Sequence, residues 1–90
     1  MPENFEATIE LAGDLHARPA GALSVAAAKF GSSIQLSVDT KQADAKSVLA
    51  VMQLGASSGH RVTVRATGPD AREAVTTLIG ILAEATSVGE

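Results

Sequence analysis

The chain contains no cysteine, tryptophan or tyrosine, and its only aromatic residues are Phe5 and Phe30. Without cysteine there is no disulfide framework and no thiolate metal site. The two histidines, His16 and His60, cannot hold zinc without carboxylate help, so neither a metal nor another cofactor is expected. No stretch approaches membrane-spanning length, which predicts no direct membrane insertion. The opening residues, Met1-Pro2-Glu3-Asn4-Phe5-Glu6, lack a basic region and an apolar run, so no signal peptide is expected there. Together these absences predict a cytoplasmic protein. Positive charge is also in short supply: seven Lys and Arg stand against ten Asp and Glu, a formal net charge of −3. That balance argues against general nucleic-acid binding.

What is present is patterning. Ninety residues make one small domain, residues 1–90, with order expected over about 3–87. Phe5, Ala7, Ile9 and Leu11 alternate with Glu6, Thr8 and Glu10, the mark of a strand with one buried face. After the turn Ala12-Gly13-Asp14, a helix is predicted from His16 to about Lys29, with Gly31 as a C-terminal stop. Ile34, Leu36 and Val38 define a second alternating strand, and Gln42 to Ala45 a weak edge strand. Ser47 to Leu54 predicts a short helix, N-capped by Ser47 and stopped by Gly55. Val62, Val64 and Ala66 mark the last strand, broken at Gly68-Pro69. Asp70-Ala71-Arg72-Glu73 predicts a capping box for a final helix to about Ala85, with Ser87 to Glu90 fraying. The order is β-α-β-β-α-β-α. Strands with one apolar and one polar face require an antiparallel sheet, wet on one side and covered by helices on the other, in the α+β class.

The densest motif is Asp14-Leu15-His16-Ala17-Arg18-Pro19-Ala20-Gly21. Proline is tolerated in a first helical turn, where a missing N–H costs little. His16 is therefore placed at a helix N-terminus, where unpaired N–H groups and the helix dipole form an anion site. Imidazole is nucleophilic at neutral pH, and Arg18 offers a fork of donors for phosphoryl oxygens. This combination points to His16 as a phosphoryl acceptor. A lone histidine in such a place is more often only a helix boundary residue; Arg18 and Pro19 beside it shift the balance toward chemistry.

The run Leu15-His16-Ala17-Arg18-Pro19-Ala20 resembles the active-site signature of HPr, the histidine phosphocarrier family of the bacterial phosphotransferase system. Lys46-Ser47-Val48-Leu49-Ala50-Val51-Met52-Gln53-Leu54-Gly55 resembles that family's second conserved-type segment, Lys-Ser-aliphatic ending in Leu-Gly, and the resemblance covers nearly the whole chain. It implies an open-faced two-layer sandwich and phosphorylation of His16 on Nδ1. The implied donor is enzyme I and the implied acceptors are sugar-specific phosphotransferase proteins. It also implies that Ser47 is a regulatory site for an HPr kinase/phosphorylase, with a transcriptional regulator as a further partner; a plain N-cap is the competing account of Ser47. Val51 and Leu54 look inward by spacing, whereas Val48, Leu49 and Met52 spread toward a second side. The resemblance makes these three, with Ala17, Ala20 and Gly21, a docking patch. The implied role is that of a carrier, itself the substrate of transferases, and not an enzyme.

One departure stands out. The family pattern has glycine two positions before the histidine, and this chain has Asp14. Its charge either acts on the phosphate site or Asp14 is simply a turn residue. His60 reads as a surface residue, and Lys46 as a solvated charge that could help hold a phosphate on Ser47. Two other function classes compete with a sugar-uptake carrier: a regulatory or nitrogen-linked HPr-like protein with other acceptors, and a non-catalytic α+β binding module. An RNA-binding sheet is rejected, because the open face offers Glu6, Thr8, Glu10, Thr63 and Arg65, with no aromatic ring for base stacking and two acids that repel phosphate.

Overall fold

The computed structural model describes residues 3–85. Its elements run β1 (Glu3–Glu10), α1 (Ala17–Ala27), β2 (Ser33–Val38), β3 (Lys41–Asp44), α2 (Val48–Gln53), β4 (Arg61–Gly68) and α3 (Ala71–Ala85). The strands form one sheet in the order β1-β4-β2-β3, with every neighbouring pair antiparallel. Two β-α-β units thus interleave: β4 sits between β1 and β2, and β2 sits between β3 and β4. The pairing of β1 with β4 joins residues at opposite ends of the sequence, with Glu3 opposite Gly68 and Glu10 opposite Arg61.

Register explains the two faces. Ala7 lies opposite Val64, Ile34 opposite Ala66, and Leu36 opposite both Val64 and Ala43. This layer is covered by α1 and α3, whose Leu23, Ala27, Ala71, Val75, Leu78 and Leu82 are buried. On the other face the pairs are polar: Glu6 opposite Arg65, bonded at 3.0 Å from Nε to Oε1, and Thr8 opposite Thr63 at 2.8 Å between hydroxyls. β3 is an edge strand, as its short, small-residue sequence predicts. β1 is the other edge, so its inward face is covered less well than alternation suggests. Phe5 stays 36% exposed, with the Arg72 guanidinium 5.3 Å from its ring centroid.

Two local expectations need correction. Gly31 is not a left-handed helix stop; α1 ends at Ala27 with Ala28 as C-cap. Asp70 does not build the expected capping box. Its Oδ2 accepts the Gly31 N–H at 2.9 Å, and its Oδ1 accepts the Ser32 N–H at 2.9 Å and the Ser32 hydroxyl at 2.5 Å. These bonds, led by the Ser32 hydroxyl, hold the Asp70 carboxyl below the ordinary aspartate range. Gly68 completes the junction. At φ +149°, a Cβ there would lie 2.6 Å from the Ser32 Oγ and 2.7 Å from its Cα, so only glycine fits without a shift. The expected fraying of residues 87–90 lies outside the described residues.

Candidate functional site

The segment after β1 carries the candidate residues, and the loop before β4 holds it in place. Leu11 N–H donates to His60 O at 2.9 Å, Gly59 N–H to Leu11 O at 2.9 Å, and Leu15 N–H to Ala56 O at 3.0 Å. The Ser58 hydroxyl adds a bond to Ala12 O at 3.2 Å. Leu15 itself is buried in the core. An apolar anchor on one side and a helix on the other leave His16 between two fixed points.

His16 is the N-cap of α1, in extended conformation with φ −80° and ψ −178°. Its carbonyl accepts the Ala20 N–H at 3.0 Å, closing the first turn, but its side chain caps nothing. The first-turn N–H groups of Ala17 and Arg18 therefore have no intrahelical partner, and Pro19 has no N–H to satisfy. The imidazole is 76% exposed. Arg18 is exposed as well and makes no ion pair among the described residues, where the ion pairs are His16 with Asp14 and Arg65 with Glu6. An accessible ring, a free guanidinium fork and unpaired backbone donors together can receive an anionic group and stabilise it.

Asp14 is tied to the loop before β4 and lies close to His16. Its Oδ1 accepts the Ser58 N–H at 2.9 Å, and its Oδ2 lies 3.9 Å from His16 Nε2. The sequence places Asp14 near His16, but the tether to Ser58 joins residues 44 positions apart and has no local signal.

The second motif folds as its spacing predicts. Ser47 Oγ accepts the Ala50 N–H at 3.2 Å as the α2 N-cap, and Gly55 stops the helix with φ +63°. Val51 and Leu54 are buried, while Val48, Leu49 and Met52 are 40%, 67% and 44% exposed. Ala17 is exposed and Gly21 half-buried, and α1 packs against α2. Ala20 has to be removed from the docking set: it is fully buried, because its position in α1 turns it toward the core with Leu23, Ser24 and Ala27. Val25, an exposed apolar residue on the same helix, was not singled out by the sequence pattern. Lys46 Nζ donates to Phe30 O at 3.0 Å, tying it to the end of the α1 region. His60 is half-buried, and its Nδ1 accepts the Ser57 N–H at 2.9 Å, so its ring serves the bracing loop. Among the described residues no group of His, Asp and Glu side chains is placed to hold a metal ion, and no helix is long and apolar enough to cross a membrane.

The family model described as the PTS HPr component phosphorylation site matches residues 4–84. The phosphocarrier protein HPr of Cupriavidus necator is 40% identical over 76 residues, which cover 84% of this chain and 85% of that protein. The phosphocarrier protein HPr of Mycoplasma capricolum is 39% identical over 71 residues, covering 79% and 80%. Among solved structures, a histidine-containing phosphocarrier protein of Mycoplasma matches with a TM-score of 0.82 at 34% identity, covering 97% of this chain and 100% of that one.

Proposed function

Starting from the fact that the chain belongs to the HPr family, the phosphocarrier proteins of the phosphotransferase system, we propose that His16 is its phosphoryl acceptor. Enzyme I is the donor, and sugar-specific phosphotransferase proteins are the acceptors. The observation that carries this reading is the uncapped start of α1: an exposed imidazole set beside unpaired N–H groups and the free fork of Arg18. In the forward step the lone pair of Nδ1 attacks phosphorus. The bond from phosphorus to the donor breaks, and its electron pair stays on the donor. The reverse logic delivers the group to the acceptor. Phosphoryl transfer passes through a loose transition state, so positioning and charge stabilisation do most of the work. Arg18 and the Ala17 and Arg18 N–H groups supply that stabilisation at the phosphoryl oxygens.

Docking falls to the exposed face of α2, Val48, Leu49 and Met52, with Ala17 and Gly21 of α1. Methionine there suits a surface that must fit several partners. Ser47 sits at the edge of this face. A phosphate on it would be electrostatically welcome at a helix start, while adding negative charge beside the docking residues. Regulation through Ser47 by a dedicated kinase, and a cytoplasmic setting for the whole relay, belong to the same proposal.

Incubation with phosphoenolpyruvate and enzyme I, followed by mapping of the modified residue, tests it. An acid-labile, alkali-stable phosphate on His16, absent from His16→Ala, is the expected result. Label retained by His16→Ala removes the assignment. A panel of sugar-specific and nitrogen-linked acceptors then identifies the branch.

A further inference from the structure

Asp14 is held in a way that a turn residue does not need. One carboxylate oxygen is fixed by the Ser58 N–H at 2.9 Å, and the loop carrying Ser58 is itself bonded to residues 11–15. The other oxygen, Oδ2, lies 3.9 Å from His16 Nε2, the nitrogen opposite the one proposed to react. That distance is too long for a direct hydrogen bond, and a small ring rotation would bring the two within reach. A carboxylate is an acceptor only, so a hydrogen bond closed across this gap would take its proton from Nε2. The family pattern has glycine at this position, which offers no side chain for such a contact.

We propose that Asp14 is a positioning residue that keeps the His16 proton on Nε2 and so presents the Nδ1 lone pair to the phosphoryl donor. The inference rests on the proposed role of His16. When Nδ1 forms its bond to phosphorus, the Nε2 proton stays in place and the ring acquires positive charge. The Asp14 carboxylate faces that charge from the side away from the phosphoryl oxygens. It therefore favours the charged ring while Arg18 and the helix start hold the anion. Histidines whose second nitrogen is engaged by a carboxylate are oriented and fixed in one tautomer by it.

The test uses the intact chain with 15N-labelled histidine, at a pH where the His16 ring is neutral. In the wild type, Nε2 should give a protonated-type shift and Nδ1 an unprotonated one. Asp14→Ala should move the two shifts toward each other. It should also slow phosphoryl uptake from enzyme I about two- to five-fold, the size that an exposed charged contact supports. Asp14→Asn, whose side-chain carbonyl can still accept, should restore the wild-type shifts. Thermal unfolding of both variants separates a general loosening of the loop from the ring effect. Identical His16 ring shifts in wild type and Asp14→Ala overturn the inference, even if uptake changes. Absence of uptake at His16 in the wild type instead overturns the proposed function, whatever the shifts show.

Discussion

The starts of α1 and α2 are built oppositely. At α2, Ser47 turns its hydroxyl back onto the Ala50 N–H and closes the helix end with its own side chain. At α1, His16 occupies the same cap position and offers its helix nothing. Capping satisfies orphan donors and stabilises the fold by about 1 kcal/mol. Leaving a cap out costs that stability and leaves the donors available to a ligand. One helix start is finished by its own side chain, and the other leaves its donors open, where the proposed chemistry would use them. A third start, at α3, does something else again, lending the Asp70 carboxylate to a distant loop.

Substitutions at these three starts can break or sharpen the contrast. The largest effect should come from the open one. Arg18→Ala should lower the rate of phosphoryl uptake about a hundredfold, the scale seen when one donor to a developing oxyanion is removed, with little change in the unfolding midpoint. A transfer assay paired with thermal unfolding measures both, and equal damage to stability would mean that Arg18 is part of the scaffold. Next is Asp70→Asn, read by stability against pH. Its folded pKa is depressed below the unfolded value, so the stabilisation is fully present above the ordinary aspartate range and is lost as pH falls through the folded pKa. The wild type should therefore weaken as pH drops below about 4, and the variant should start less stable at neutral pH and show a flatter acid limb. The smallest effect belongs to the finished start. Ser47→Ala should cost about 1 kcal/mol in urea unfolding while His16 takes up phosphate at the wild-type rate.

Much of this was legible in the residues. Alternation in β1, β2 and β4 identified inward and outward faces because a sheet with one wet side imposes a period of two. Pro19 located the start of α1, and Ser47 and Gly55 bracketed α2, because each has a conformational reason to stand where it does. The surplus of Val48, Leu49 and Met52 over what one buried face needs marked them as exposed, and they are. The misses share a cause. Asp70 carries a correct local signal for a capping box, yet a loop 38 and 39 residues away takes its oxygens. The resemblance puts Ala20 on the docking surface, whereas the helical rotation sends it inward. Phe5 follows the alternation but lies on an edge strand, which no period can announce. The bracing of residues 11–15 by residues 56–60 likewise exists only once β1 and β4 pair.

The Asp70–Ser32–Gly68 junction has one more consequence. Gly68 and Arg61 terminate β4 at opposite ends, and the Arg61 end leads to the loop that braces His16. The seven steps between them, at roughly 3.3 Å each, put about 23 Å between the two. The proposed phosphoryl site and the architectural closure therefore occupy separate poles of a small body. A substitution at the His16 end is therefore expected to leave the Asp70–Ser32–Gly68 junction intact, and a substitution at the junction to leave the loop contacts around residues 11–15 intact.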